Sequence, residues 1–124
     1  MSEIILQKIH CHLAELPANP AFDAESMLCT TIEGEPDADG ESFWIQLHAG
    51  QINFRHLDDP VKEEILGSIL VEADAIADIE PGTYATFDLV SLSPGQVDSL
   101  ILRLLVEYFD ASDSSDPSIS TEEL

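Results

Sequence analysis

The sequence has very little positive charge. Four Lys and Arg residues stand against 25 Asp and Glu, so the formal net charge is −21 at pH 7. Proteins that bind nucleic acid or anionic membranes neutralise phosphates with clustered Lys and Arg. This composition therefore excludes direct binding of nucleic acid or of an anionic membrane surface, and it predicts a basic protein partner.

Cysteines and long apolar runs are also scarce. Cys11 and Cys29 form no CxxC pattern and are too few to crosslink a small secreted domain, so we expect both to be reduced. No apolar run reaches the roughly 18 residues that a membrane span needs. The first residues, Met1 to Glu3, lack the basic region of a secretory signal. These absences predict a cytoplasmic protein.

Glycine is scarce as well, and the common catalytic motifs are missing. The six glycines form no G-x-S-x-G, Walker or G-x-G-x-x-G motif, so the sequence offers neither a nucleophile elbow nor a phosphate-binding loop. Pairs of carboxylates could act in acid–base chemistry. In a chain with 25 acids, however, such pairs also arise without a catalytic purpose. We therefore predict no enzyme and no cofactor.

Apolar residues are abundant, at 44% of the 124 residues, which is enough for one domain with a real core. Residues 4–16 predict a first helix, because apolar residues recur at helical spacing and Pro17 ends the run. A strand is the alternative, since the odd positions also alternate and would place His10 and His12 on one face. Three antiparallel strands of a meander are predicted at residues 27–32, 43–48 and 51–57.

A second helix is predicted to begin at Asp58-Asp59-Pro60, where an Asp cap precedes a proline of the first turn, and to end before Pro81-Gly82. Its predicted inward stripe is Val61, Ile65, Ile69, Ala73 and Ile76.

Residues 83–89 predict a further strand, and Ser93 with Gln96 forms a capping box that starts a last helix at Pro94. The expected fold is an α+β domain over residues 1–110, in which a small antiparallel sheet of three to four strands packs with about three helices. Residues 111–124 lack periodicity and predict a disordered acidic tail.

The last predicted helix is apolar around most of its circumference. Three of its few polar residues, Ser99, Arg103 and Glu107, lie in one narrow i, i+4 row. A small sheet covers only one side of such a helix, so we expect a second helix or a second subunit on the rest. The candidate homodimer interface consists of Leu100, Ile101, Leu104, Leu105, Tyr108 and Phe109.

One segment has part of a calcium-binding pattern. Residues 35–41 place acids at positions 1, 3 and 5 of a calcium loop and Gly40 at position 6. Position 12 would be Gln46, which cannot supply the bidentate carboxylate. We interpret this segment as a charged hairpin loop.

The chain contains histidines and cysteines, which are zinc ligands, but their spacing matches no known zinc-binding motif. Adjacent residues on a helix cannot all face one ion, so we predict no metal site. The candidates considered are His10, Cys11, His12, Cys29, His48 and His56.

The acids fall into clusters. From Glu33 to Glu41 they occupy alternate positions, so in an extended chain their carboxylates lie on one face roughly 6.5 to 7 Å apart, similar to successive phosphates along a nucleic-acid strand. Repulsion between so many like charges destabilises a compact fold, so we interpret the acidic clusters as serving association with a partner. The predicted partner-binding acidic face is Glu33, Glu35, Asp37, Asp39, Glu41, Asp58, Asp59, Glu63, Glu64, Glu72, Asp74, Asp78 and Glu80.

The leading functional hypothesis is a non-enzymatic acidic protein that masks the basic, nucleic-acid-binding surface of a protein partner. Nucleic-acid mimics among anti-defence proteins, nuclease inhibitors and immunity proteins work in this way. Electrostatic steering would make such association fast and sensitive to salt. A small enzyme or calcium protein is a remote third hypothesis.

A second hypothesis comes from the order of the elements. The layout of helix, three strands, helix, strand and helix over residues 1–110, with small size and a pI near 4.1, is similar to that of class I type III secretion chaperones, with one strand fewer. This resemblance implies an acidic secretion chaperone or assembly adaptor. Such a dimer would work through apolar grooves and an apolar subunit interface.

Overall fold

A computed structural model describes residues 3–17, 19–23, 25, 27–34, 42–57, 59–73, 77–89, 92–109 and 117–123. The elements are, in chain order, α1 Glu3–Ala14, β1 Leu28–Glu33, β2 Trp44–His48, β3 Gln51–Arg55, α2 Pro60–Ala73, β4 Ala77–Glu80, β5 Tyr84–Asp88, α3 Pro94–Arg103, a π-helical turn Leu104–Tyr108 and β6 Ser118–Glu123. The predicted α+β class is confirmed, and the first element is a helix rather than a strand.

All six strands form one antiparallel sheet in the order β4-β5-β3-β2-β1-β6. The sheet is thus larger than the predicted three to four strands. The meander β1–β2–β3 is confirmed, and the two-residue loop Ala49-Gly50 joins β2 to β3 with φ angles of 51° and 75°. Two central residues with positive φ characterise a type I′ turn, whose twist matches that of the flanking strands.

Strand β4 is the first element that the sequence reading missed. The second helix was expected to continue to Ile76, but it ends at Ala73, and Ala77–Glu80 pairs with β5. Pro81 and Gly82 form the turn of this hairpin, in which the Thr83 amide donates to the Glu80 carbonyl at 3.0 Å and Gly82 has a φ of 74°. Pro-Gly at the centre of a turn suits a hairpin as well as a helix end.

Strand β6 is the second correction. Residues 111–124 were expected to be a disordered acidic tail, but Ser118–Glu123 pairs with β1 along its whole length. The expectation of disorder does not hold for these six residues, and residues 110–116 lie outside the described part of the chain. Backbone pairing with an existing strand orders a segment that has almost no apolar pattern of its own.

The core lies between the helices and one face of the sheet. The inward side chains of the four central strands are almost fully buried, and the three described helices pack on this same face. Phe54 lies at the centre, with its ring edge-on to the rings of Phe87, Tyr108 and Phe109. The buried inward residues of the central strands are Thr30, Ile32, Ile45, Leu47, Ile52, Phe54, Ala85 and Phe87.

The last helix is covered by its own chain. Val97, Leu100 and Ile101 of α3 are buried, as are Leu104, Leu105 and Tyr108 of the π-helical turn, and Phe109 is half-buried. The sheet takes one side of this segment, while α1 and α2 pack beside it. Five of the six residues of the predicted homodimer interface are thus buried within the chain and Phe109 is half-buried, and the homodimer itself stays a prediction.

Helix α2 packs on the core through part of its predicted stripe. Ile69 is buried and Ile65 is half-buried against the core, as predicted, whereas Val61 is 65% exposed. Leu66, which was not in the predicted stripe, is also buried, and Ile76 lies outside the described residues.

The two predicted helix starts are confirmed. The Ser93 Oγ accepts from the Gln96 amide at 3.3 Å, and the Gln96 Oε1 accepts from the Ser93 amide at 2.8 Å, which completes the capping box of α3. The Asp59 carboxylate accepts from the Val61 and Lys62 amides at the start of α2. These caps satisfy amides that the first turn of a helix leaves without partners.

Candidate protein-binding face

The sheet face opposite the helices is a regular surface to which all six strands contribute. Side chains alternate between the two faces of a strand, so each buried strand residue has neighbours on this second face, which we name the open face. No described helix packs on it. Its residues are Cys29, Thr31 and Glu33 of β1, Trp44, Gln46 and His48 of β2, Gln51, Asn53 and Arg55 of β3, Asp78 and Glu80 of β4, Tyr84, Thr86 and Asp88 of β5, and Ser118, Ser120 and Glu122 of β6.

A row of uncharged polar residues crosses the middle of the open face. The Thr86 Oγ1 donates to the Asn53 Oδ1 at 3.0 Å, and the Asn53 Nδ2 lies 3.5 Å from the Gln46 Oε1. Thr31 lies opposite Gln46 in the register, and Ser120 continues the row on β6. The hydrogen bonds across strands hold these side chains in place, so the centre of the face is polar and uncharged.

The row beside it carries the aromatic residues. Trp44, the only tryptophan of the chain, and Tyr84 lie on this row, and Arg55 is the register partner of Tyr84. The Arg55 guanidinium donates to the Ser42 carbonyl at 3.1 Å. A hydrogen bond from Tyr84 to the Glu80 carboxylate, together with that negative charge, raises the pKa of the Tyr84 hydroxyl above its usual value. Half-buried Trp and Tyr side chains are frequent anchors at protein interfaces.

Carboxylates border this face on both edges. Arg55 is the one Lys or Arg among its described residues, so the face is strongly negative at neutral pH. Two acids of this face were not predicted, Asp88 and Glu122. Strand alternation could have revealed Asp88, which lies two positions after Thr86 on the predicted strand, whereas Glu122 lies on β6, which the sequence did not predict. The acids of the open face are Glu33, Asp78, Glu80, Asp88 and Glu122.

The structure does not gather the predicted acidic residues on one face. Glu33, Asp78 and Glu80 are exposed on the open face, whereas Glu63 and Glu64 are exposed on α2, on the other side of the molecule. Asp59 caps α2, and Glu72 lies near the end of that helix. The remaining predicted residues, Glu35, Asp37, Asp39, Glu41, Asp58 and Asp74, lie outside the described residues.

Histidines and cysteines serve local contacts. His10 pairs with Asp98, His12 with the Thr121 hydroxyl, and His48 donates to the Leu28 carbonyl. Burial raises the pKa of the Cys29 thiol, and the nearby Glu122 charge raises it further, which disfavours the reactive thiolate. Among the described residues, no three His, Cys, Asp or Glu side chains converge on a position where they could bind one metal ion.

A cavity of about 390 Å³ lies at the junction of β3, α2 and the β4–β5 turn. His56, which is buried, accepts the Gly82 amide at its Nδ1 at 2.9 Å, and the Lys62 ammonium donates to the Glu107 carbonyl at 3.2 Å. Asp59 also lines this cavity, and its carboxylate caps α2. The polar groups of this cavity thus tie the turn, the helix start and the π-helical turn together.

In the ranges that the structure describes, no helix combines the length and the apolar character required to cross a lipid bilayer. Comparison of the chain with protein-family models, with curated proteins and with solved structures finds no match.

Proposed function

We propose that this protein is a non-enzymatic, acidic binding protein that uses the open face to mask a basic surface of a protein partner, as a nucleic-acid mimic does. The observation that carries the proposal is the composition of that face: a polar centre, two half-buried aromatic side chains and five bordering carboxylates with one arginine. A nucleic-acid-binding surface offers the complement, because its Lys and Arg side chains are arranged to meet phosphates.

The energetics favour association by charge and anchoring by the aromatic row. A net charge of −21 attracts a basic partner over a distance set by ionic strength, which raises the rate of encounter more than the strength of each contact. Trp44 and Tyr84 supply the contact area that carries binding energy after encounter. Binding should therefore weaken with salt and should also depend on Trp44.

Two matched triple variants test the proposal. The open-face variant carries Glu33→Gln, Asp78→Asn and Glu80→Gln. The control carries Glu15→Gln, Glu63→Gln and Glu64→Gln, which removes the same charge from exposed positions just after α1 and on α2. Each protein is used for affinity capture from the source cell at 50 mM and 500 mM salt, and captured proteins are then challenged with duplex DNA.

The expected result is a basic, nucleic-acid-binding partner that the wild type and the control retain at low salt. The open-face variant should lose it, and duplex DNA should displace it. Capture that is equal for both variants, or that persists unchanged at 500 mM salt, would overturn the proposal.

A secretion chaperone or assembly adaptor is the second candidate, and strand β4 favours it. From α1 to α3 the described order is helix, three strands, helix, two strands and helix. The layout predicted from the sequence had one strand fewer than class I type III secretion chaperones, and β4 supplies that strand. A chaperone would bind through apolar surface, and Val61 and Val106 are exposed on the helix layer. Salt-insensitive capture that is lost in a Val61→Ser, Val106→Ser variant would support this candidate over the first.

A further inference from the structure

Strand β6 is held at the edge of the sheet mainly through its backbone. It pairs with β1 over six residues, but Ser118, Ser120, Glu122 and Glu123 are exposed. Ile119 alone packs against the core, and only partly. The central strands differ sharply, since each contributes fully buried apolar side chains to the core. Backbone pairing depends little on side-chain identity, so another extended segment can form the same ladder.

The β1 edge nevertheless has features that select a side-chain pattern. Ile119 lies opposite Ile32, and Thr121 lies opposite Thr30. The Thr121 hydroxyl hydrogen-bonds with Thr30 at 2.8 Å and with His12 at 2.7 Å, which satisfies the buried Thr30 side chain. The Lys8 ammonium donates to the Pro117 carbonyl at 2.9 Å, just before the strand. The edge thus accepts an apolar residue and, two positions later, a hydroxyl residue.

Strand β6 ends in two exposed carboxylates on a strongly acidic chain. Glu122 and Glu123 contribute to the net charge of −21, and Glu122 is the register partner of Cys29. A strand with Lys or Arg at these two positions would form the same backbone ladder and would be attracted rather than repelled.

We propose that the β1 edge is a strand-addition site, which β6 occupies as an internal ligand and which a basic extended segment of the partner takes in its place. The occupant would carry an apolar residue at the position of Ile119, a Ser or Thr at the position of Thr121, and basic residues after it. This inference rests on the proposed function in one respect, the basic character of the partner, and it adds the site and the mode of binding.

A disulfide lock provides the test in the full chain. Cys29 and Glu122 are directly opposed and lie on the same face, so Glu122→Cys places two sulfurs where a cross-strand disulfide can form. Cys11, which is exposed, is replaced by Ser to prevent other pairings. The oxidised protein holds β6 in place, and the same protein under reducing agent is the matched control.

The probes are two fluorescent peptides with the sequence of residues 117–124, one native and one with Glu122→Lys and Glu123→Lys. A third, with Ile119→Asp added to the lysine peptide, tests the side-chain pattern. We expect the lysine peptide to bind the reduced protein at 50 mM salt at least roughly tenfold more tightly than the native peptide. Oxidation of the lock should weaken that binding at least roughly tenfold, and Ile119→Asp should do the same.

Equal binding to the oxidised and reduced proteins would overturn the inference, because the peptide would then lie elsewhere on the acidic surface, and the proposed function would still stand. Absence of binding to the reduced protein would also overturn it, since β6 would not exchange. Loss of partner capture in the open-face variant, measured separately, decides the proposed function whatever the peptides do.

Discussion

The two faces of the sheet use the same strands for opposite purposes. On the covered face, Phe54 and its neighbours are excluded from water and pack against three helices. On the open face, at the alternate positions of the same strands, the side chains are mostly polar, aromatic or acidic and keep contact with solvent. The difference predicts that stability and the proposed recognition are separable, because substitutions on one face leave the other face's neighbours untouched.

The largest expected effect is on the covered face. Phe54→Ala should lower the free energy of unfolding by about 3–5 kcal/mol, because it removes a fully buried ring and leaves a cavity among Phe87, Tyr108 and Phe109. Urea denaturation followed by circular dichroism measures the change. Trp44→Ala on the open face is the control and should cost about 1 kcal/mol or less.

The comparison of faces fails if both substitutions destabilise the protein equally. In that case an element beyond the described residues would cover Trp44, and the open face would not be available to a partner.

A smaller effect is expected from one hydrogen bond at the end of the covered face. The Tyr108 hydroxyl accepts the Leu57 amide at 2.7 Å, and Tyr108→Phe should cost about 1–2 kcal/mol, since the amide loses its acceptor. A matched substitution on the open face, Tyr84→Phe, should change stability less, because it leaves no buried amide without an acceptor. Thermal unfolding at neutral pH distinguishes the two.

Tyr108 also predicts how stability depends on alkaline pH. Burial raises the pKa of this hydroxyl above its usual value of 10.0. The folded-state pKa therefore exceeds the unfolded one, so the stabilisation is complete below pH 10 and is lost as the pH rises through the raised pKa. Tyr108→Phe should flatten the fall in unfolding free energy above pH 10, and an unchanged slope in the variant would contradict this assignment.

The charges of the open face should affect stability little and in the favourable direction. The variant with Glu33→Gln, Asp78→Asn and Glu80→Gln should be as stable as the wild type or up to about 1 kcal/mol more stable, because repulsion between carboxylates is relieved.

The same triple variant should also return the pKa of Tyr84 towards its usual value, since Glu80 raises that pKa. An absorbance titration in a Tyr108→Phe background observes Tyr84 alone, and a raised pKa in the triple variant would exclude Glu80 as the cause.

The smallest effect is expected in the polar row at the centre of the open face. Thr86→Val keeps a β-branched side chain and loses one hydrogen bond to Asn53 at a surface position, so stability should change by less than about 0.5 kcal/mol. The matched exchange on the covered face, Thr30→Val, removes a buried hydroxyl that hydrogen-bonds with Thr121 and should change stability more. Chemical denaturation of both variants measures the contrast, and equal effects would show that the row is also shielded from water.

Prediction from the sequence worked where the signal is local. The capping box of Ser93 and Gln96, the Asp59 cap and the alternation of Tyr84 to Asp88 each depend on residues within a few positions, and all three are present. Prediction failed for β4 and β6, whose partners are other strands. Ala77–Glu80 and Ser118–Glu123 have weak patterns of their own, and each is ordered by pairing at a sheet edge.

The candidate site shows the same division. Composition alone establishes a strongly acidic chain, with 25 Asp and Glu against four Lys and Arg, because charge is additive along any fold. Which carboxylates share a face depends on the order of the strands and on the side that the helices cover. The backbone pairing of β4 with β5 brings Glu80 to Tyr84, and that of β6 with β1 brings Glu122 to Cys29. The β6–β1 hydrogen bonds join segments distant in the chain, and the β4–β5 hairpin reaches this face only through its pairing with β3, so the folded sheet determines where the acidic and aromatic side chains meet.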